Sequence, residues 1–450
     1  MQQEVKHIAA IEIGSSKIRG AIGSVDSQGT LTVLAIEEKP LIDGVRYGVI
    51  RNVEKVAIAV DSILSTLDAN VAPRAIESVY VSIGGRSVHS AVSNVDRLLP
   101  DEMEITRRLL DELKLEALSL APSGVDVVSA EPRSFTIDRV NVEHPVGEFG
   151  RDVSACFNLI LCSDKMRRNL ERVLVEKLSL TVNGYYVRAV AEADYAVSAN
   201  EKKLGCMFVD CGAETTTVAI YRQGNLQYLN TIPIGSRNIT RDIMSLNYLE
   251  EQAEGIKQTG GNARPQTGEK NMINGMDFSN INKYVSARAS EIILNINAQL
   301  KYADLTPQEL PAGIILAGGG ARLGGFSDRM EALTKMRVRL ASGTPGTVRI
   351  ADSRIPVDEM FDIIALLSTI AANDPAECLS AIPVKEEPKL ETIPDDTVQD
   401  EVNSEDVPDT DDTPKKEGRG GYFKRFTSKI VSIMSGLDDK DPDDDFEDDM

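Results

Sequence analysis

The sequence predicts an α/β protein of two related halves around a cleft, with a small α+β module inserted in the first half. Three observations lead there. The stretch Leu204 to Leu229 reads as strand, tight glycine turn, strand, with the carboxylate of Asp210 at the end of the first strand. The same arrangement stands near the start of the chain. Ile11-Glu12-Ile13-Gly14 through Ile22 lies over Val209-Asp210-Cys211-Gly212 through Ile220 without a gap, with Glu12 on Asp210 and Gly14 on Gly212. Third, an apolar strand, Gly313 to Ala317, runs into Gly318-Gly319-Gly320, where glycines let a flat group approach the backbone.

Each turn has the chemistry of a phosphate site. Backbone N–H groups in a tight turn form an anion nest. Thr215 and Thr216 can donate hydroxyls, and Asp210 can hold Mg²⁺ through water. In the first copy Ser15, Ser16 and Lys17 fall on Ala213, Glu214 and Thr215. One such hairpin is an ordinary feature of β proteins. Two, about half the chain apart, point to two halves facing one nucleotide. Gly235 opens a helix whose N-terminus can face a phosphate.

Composition narrows the class. The 450 residues are enough for several domains, and 42% hydrophobic content supports real cores. The net charge is −21 and uneven: residues 386–450 hold 22 acidic against 8 basic side chains, −14, leaving −7 for the rest. That balance argues against nucleic-acid binding. The five cysteines form no CxxC pattern and read as reduced residues, four of them in apolar strands. The three histidines, His7, His89 and His144, are scattered, so a histidine metal site is not expected. No stretch reads as a signal peptide, and no apolar run reaches 18 residues.

In chain order, the first hairpin is followed by a strand over 31–36, a helix over 53–67 with Val56, Val60, Ile63 and Leu67 on one face, and a strand over 79–83. Three strands, a helix and a strand fit half of a ribonuclease-H-like unit. Residues 85–161 alternate differently: strand over 86–95, helix over 106–120, strands over 125–137 and 151–161. Nothing in them suggests catalysis, so a contact surface is expected. A helix over 163–178 and a strand and helix over 185–199 lead to the second half. Helices are expected over 250–257, 282–302, 326–335 and 361–372, with a mobile loop over 259–275.

The motifs IEIGSSK, VDCGAETTT, PIGSRNITRDI, AEGIK and GIILAGGGARLGGF occur in the order and spacing of actin-like ATPases. With the inserted module and a tethered terminal segment, the chain resembles the FtsA family of bacterial division proteins. The likeness covers roughly residues 5–380 and the terminal segment in kind. It implies an actin-like fold of two ribonuclease-H-like halves around a nucleotide cleft. The first half is 1–84 with 162–203, the inserted subdomain 85–161, the second half 204–237 with 304–385, and its own subdomain 238–303. It also implies a site for ATP and Mg²⁺. Gly14, Ser15, Ser16 and Lys17 match the first phosphate loop. Asp210, Gly212 and Thr215 match the second, with Glu12 and Asp210 toward the metal through water. Gly235 and Ser236 match the turn near the phosphates, Glu254 and Lys257 the pair beside ribose and adenine, and Gly318, Gly319 and Gly320 the adenosine loop. Without that likeness, Glu254 and Lys257 read as a solvated ion pair. Implied partners are the FtsZ C-terminal tail on 238–303, further copies of the chain in a filament, and later division proteins on 85–161.

Two departures bear on hydrolysis. Relatives usually have a glycine run where this chain has Ala213-Glu214, and often Asp where Thr217 stands. A carboxylate beside a triphosphate costs energy unless it points away or meets Mg²⁺. At most a weak ATPase is expected. A sugar kinase would need a base aimed at a substrate hydroxyl, and none is evident. A chaperone ATPase would need a large β-rich domain after the nucleotide domain. An actin-like pilus-assembly scaffold is the nearest alternative. The motif set and the terminal segment favour a membrane-tethered scaffold for bacterial cytokinesis, on the cytoplasmic face of the cell membrane at the division site.

The terminal segment follows an acidic linker, 386–421, expected to be disordered. Over 422–437 a helix would put Phe423, Phe426, Ile430, Ile433, Met434 and Leu437 on one face, with Tyr422 at its edge. Lys424, Arg425 and Lys429 lie among serines on the rest. Such a helix spans only about 24 Å, so it is expected to lie on anionic lipid and not cross it. Residues 438–450 form an acidic tail.

Overall fold

The computed structural model describes residues 5–120, 124–265, 270–343 and 348–381. The chain divides into a unit of residues 1–385 and a unit of residues 386–450. The expected linker, amphipathic helix and acidic tail lie outside the described residues.

Two sheets organise the first unit. One has six strands in the order Thr181–Val187, Ser78–Ile83, Lys6–Ile13, Lys17–Val25, Leu31–Pro40, Val348–Ile350. Lys6–Ile13 and Lys17–Val25 are the first hairpin, antiparallel from Lys6↔Val25 to Ile13↔Ile18. Helix Val53–Val71 covers this sheet, capped by the Asn52 side chain accepting from the Lys55 N–H. It buries Val56, Val60, Ile63 and Leu67, the face its spacing predicts. Gly20 makes the fit possible, since a Cβ there would stand 2.4 Å from Ile63 Cγ2.

The second sheet has nine strands: Val338–Leu340, Ile314–Ala317, Cys206–Cys211, Thr216–Arg222, Asn225–Ile232, His89–Glu104, Phe149–Ser163, Val125–Ile137, Val140–Val142. Its first five strands belong to the second half. The rest come from the inserted module, which has its own core around Val95, Ile105, Leu113 and Phe157 under helix Arg107–Ser119. The two parts share one ladder bridge, Asn230↔His89, with Ser90 Oγ accepting from the Leu229 N–H at 2.8 Å, and side chains add to it: Asn158 Nδ2 donates to the Leu226 carbonyl and Arg133 Nε to Gln227 Oε1. The module's strand pattern was readable in the sequence. Its attachment to the other half's sheet was not, because nothing local marks which edge strand will be chosen.

Helices Ser236–Met244, Ile281–Tyr302 and Phe326–Thr334 pack on the second sheet through Ile239, Ile243, Ile292, Ile293, Ile296 and Met330. The expected loop over 259–275 includes strand Met272–Ile273, paired with Met276–Asp277. The helix expected over 163–178 is α-helical over Asp164–Glu171 and widens to a π-helix over Arg172–Lys177. One grouping needs redrawing. From Val348 the chain returns to the first sheet, although the sequence assigns 304–385 to the second half. Val348–Ile350 pairs with Leu31–Pro40, helix Phe361–Ala371 joins the first core, and the Cys378 N–H donates to the His7 carbonyl. Short apolar segments fit either of two similar sheets, so sequence pattern cannot choose between them.

Candidate functional site

The two predicted turns are built alike. The Gly14 N–H donates to the Lys17 carbonyl at 3.0 Å, and the Gly212 N–H to the Thr215 carbonyl at 2.9 Å. A Cβ on either glycine would meet that same carbonyl, at 2.9 and 3.0 Å. Glu12 sits opposite Arg19 and Asp210 opposite Thr217, equivalent positions in the two ladders.

What joins the turns is a residue that the motifs do not contain. Arg188 begins helix Arg188–Ala196, just after strand Thr181–Val187. Its guanidinium donates to Glu12 Oε1 at 3.0 Å and to Asp210 Oδ2 at 3.0 and 2.6 Å, with Glu192 Oε1 at 3.9 Å one turn along. Gly84 leaves room for it: a Cβ there would stand 3.3 Å from Arg188 Cζ. Beside this group Arg19 pairs with Glu38 at 2.7 Å and with Asp362. Glu12, Glu192 and Asp210 are all 3% exposed or less.

Five acids, Glu12, Glu38, Glu192, Asp210 and Asp362, thus crowd around two arginines, and two of the carboxyls are shifted toward the protonated form. Burial, then repulsion from Asp362, pushes Glu12 up to about 7 against the pull of Arg188 and Arg19. Burial and the Asp210 charge push Glu192 well above the usual carboxylate range. Its Oε2 is buried with no hydrogen-bond partner. Arg188 is held well above its usual value: burial opposes this, but Asp210, Glu12 and Glu192 outweigh it. A carboxyl with a folded pKa above its unfolded 4.5 binds its proton more tightly in the native state. Stability then falls as pH rises from about 4.5 to about 7. Glu12→Gln, neutral at every pH, should escape that loss. Urea denaturation should show the variant gaining on the parent by on the order of 1–3 kcal/mol between pH 5 and pH 8. A constant difference would mean that Glu12 does not titrate there.

The sequence expects Glu12 and Asp210 toward Mg²⁺ through water; here both carboxylates are held directly by the Arg188 guanidinium. Among the described residues no group of three or more His, Cys, Asp and Glu is arranged to hold a metal.

The other predicted residues gather around the second turn. The Ser236 and Arg237 N–H groups donate to the Gly212 and Ala213 carbonyls at 3.0 and 2.7 Å, so helix Ser236–Met244 is docked on the turn by its N-terminus. Gly235 permits this approach, since a Cβ there would meet the Ala213 carbonyl oxygen at 2.6 Å. Lys257 Nζ reaches Glu254 at 2.7 Å, Thr240 Oγ1 at 3.0 Å and the Ser236 carbonyl at 3.3 Å. Lys257 is buried, so this is a brace between two helices and not a solvated pair. Burial alone would raise the Glu254 carboxyl, but Lys257 and the hydrogen bonds from Thr240 and Gln258 hold it below the usual range. Gly318, at φ +82°, lies against the same strand end: a Cβ there would be 2.4 Å from the Cys211 carbonyl oxygen and 2.5 Å from Asp210 Oδ1. Gly320 is pressed on Cys211 Sγ, whereas a Cβ on Gly319 would meet nothing within 4 Å.

Some predicted groups are occupied elsewhere. Lys17 Nζ pairs with Glu38 at 2.8 Å. Ser15 Oγ accepts from the Gly48 N–H at 3.2 Å, and the Ser16 carbonyl from the Leu41 N–H at 2.8 Å. Thr215 is buried. The Thr216 hydroxyl, expected toward a ligand, donates to the Ile234 carbonyl at 2.8 Å, and Thr217 pairs with Thr231 at 3.0 Å. Glu214 is buried among Arg46, Arg237 and Arg241. Sequence reading missed Arg188, Glu192, Arg46 and Tyr47. An Arg–Glu pair four apart at a strand-to-helix junction was the one visible trace of the first two.

The family described as Cell division protein FtsA matches residues 207–357, the span holding the second turn, the docked helix and the glycine loop. A Cell division protein FtsA of Porphyromonas gingivalis is 29% identical over 419 residues, covering 87% of this chain and 85% of the relative. One of Pseudomonas aeruginosa is 29% identical over 372 residues, covering 77% and 85%. Among solved structures, a PilM–PilN type IV pilus biogenesis complex superposes with a TM-score of 0.59 at 16% identity, covering 81% of this chain and 98% of that one. That likeness supports the actin-like fold, and the sequence matches make this chain similar to the cell division proteins of the FtsA family.

Proposed function

We propose that this protein is a self-assembling scaffold for cell division that binds an adenine nucleotide between its two turns. In this reading it holds FtsZ, through the FtsZ C-terminal tail, on the inner face of the cytoplasmic membrane and recruits later division proteins. The observation that carries the nucleotide site is the meeting of two equivalent glycine turns at Arg188, with the glycine loop 318–320 closing on the strand end of the second. Ser15, Ser16, Gly212 and Thr215 would hold the phosphates. Glu254, Lys257 and the glycine loop would hold the adenosine. No metal is assigned to Glu12 and Asp210 while Arg188 is between them.

Slow or absent turnover fits the same geometry. Glu12 and Asp210 are held by Arg188, Glu214 by arginines and Thr217 by Thr231, so these four side chains are already engaged and would not orient an attacking water. Nucleotide binding would instead set the relative orientation of the halves for assembly. Exposed apolar side chains support the two contact surfaces: Leu98, Met103 and Phe149 on the inserted module, and Leu249, Leu294 and Tyr302 within 238–303.

Gly319 offers a clean test of the cleft, because its Cβ position is open. Gly319→Val should fold like the parent and bind ATP at least about tenfold more weakly by calorimetry. Unchanged affinity would remove the glycine loop from the site. The scaffold reading is tested by co-sedimentation of the full chain on anionic liposomes with a labelled FtsZ tail peptide, with and without ATP. A peptide that stays in the supernatant under both conditions would refute the tether.

A further inference from the structure

The Glu214 carboxylate is the least expected charge in the cleft. It projects from the second turn, is 1% exposed, and reaches across to the first half. Its Oε2 accepts the Tyr47 N–H at 2.6 Å. Its Oε1 accepts from Arg241 at 3.2 Å and Arg237 at 3.3 Å, with Arg46 Nε at 3.7 Å. Three guanidinium groups and a backbone N–H around one anion form a phosphate-like cradle. The cradle also abuts the first turn: Arg237 reaches the Ser15 carbonyl at 3.5 Å, and the Gly48 N–H, next to Tyr47, donates to Ser15 Oγ. The partners of the anion thus tie it to Ser15 of the first turn.

We propose that Glu214 fills, as a tethered anion, the place between the two turns that the terminal phosphate of a nucleoside triphosphate would take, so that the cleft selects nucleoside diphosphates. The proposal rests on the cleft being the nucleotide site. A diphosphate can end at the two turns and leave Glu214 on its arginines. A triphosphate must put its terminal phosphate beside a buried carboxylate or displace that carboxylate from its three donors and from Arg46. Either way it loses what the diphosphate keeps, since like charges at this range repel strongly where water is excluded. Arg46, Arg237 and Arg241 are then the groups a third phosphate would meet once Glu214 is gone.

Calorimetry of the full chain with ADP and with ATP decides the matter, using the parent, Glu214→Ala and Glu214→Gln. The parent should bind ADP at least about tenfold more tightly than ATP, ~1.4 kcal/mol. Glu214→Ala should reverse the order, because the arginines become free for the third phosphate. Glu214→Gln keeps the volume and the bond from Tyr47 without the charge, so it should narrow the ratio, and it serves if the alanine variant does not fold. A parent that binds ATP as tightly as ADP overturns the proposal and leaves the nucleotide site standing. So does a ratio that neither substitution moves. Failure of parent and both variants to bind either nucleotide overturns both.

Discussion

Arg188→Met should lower stability by about 3–5 kcal/mol at pH 8, the scale for removing one partner of a buried ion cluster. Methionine keeps much of the length and apolar stem of arginine, so the change isolates charge. The parent side chain is 15% exposed and is the counter-charge for Glu12 and Asp210, with Glu192 alongside. Without it, adjacent buried carboxyls must repel one another or take up protons at a cost that grows with pH. The loss should therefore shrink at pH 5, where the carboxyls neutralise cheaply. Arg188→Lys should recover only part of it, because one ammonium lacks the planar fork that serves two carboxylates from opposite sides. Urea denaturation at both pH values measures all of this. A methionine variant as stable as the parent at pH 8 would mean that the cluster does not hold the halves together.

The second large effect concerns the proposed surface helix over 422–437. Phe426→Asp with Ile430→Asp should weaken binding to anionic liposomes by at least ~100-fold. Each replacement removes about 1.5–3 kcal/mol of apolar burial, and each new negative charge faces a like-charged leaflet at roughly 1 kcal/mol. The cations Lys424, Arg425 and Lys429 remain in the variant, so the residual binding reports their share. Assembly should amplify the contrast, because a filament offers many weak anchors at once. Nucleotide affinity should be untouched. A double variant that floats with liposomes as well as the parent would place the anchor elsewhere.

Much of the fold was legible because its signals are local. The Glu12–Gly14 and Asp210–Gly212 turns, the face of helix Val53–Val71 and the run Gly318–Gly320 are written in contiguous residues and recur in the structure as read. The centre of the site was not legible, for a physical reason. Arg188 meets Glu12 across 176 residues, and Glu214 meets Tyr47 across 167. Long side chains choose such partners by three-dimensional proximity, with no spacing rule to betray them. Glu214 could be noticed in the sequence only as a carboxylate in an unsuitable turn. Where its charge is balanced depended on a short segment, Val45–Ile50, whose strands of two residues are too brief to leave a pattern.

The seam at Asn230 and His89 has a consequence for synthesis. The ribosome releases the inserted module well before the strand that will adjoin it. At about 5–20 residues per second, roughly 10–30 s separate His89 from Asn230. During that interval the newborn module has a core of its own, and the His89 end of strand His89–Glu104 lacks the neighbour it will gain. Such an edge invites pairing with the same strand of a neighbouring nascent chain. Crowded polysomes would therefore be the setting in which this protein is most prone to join the wrong copy of itself, before its second half exists to cover the His89 end of that strand.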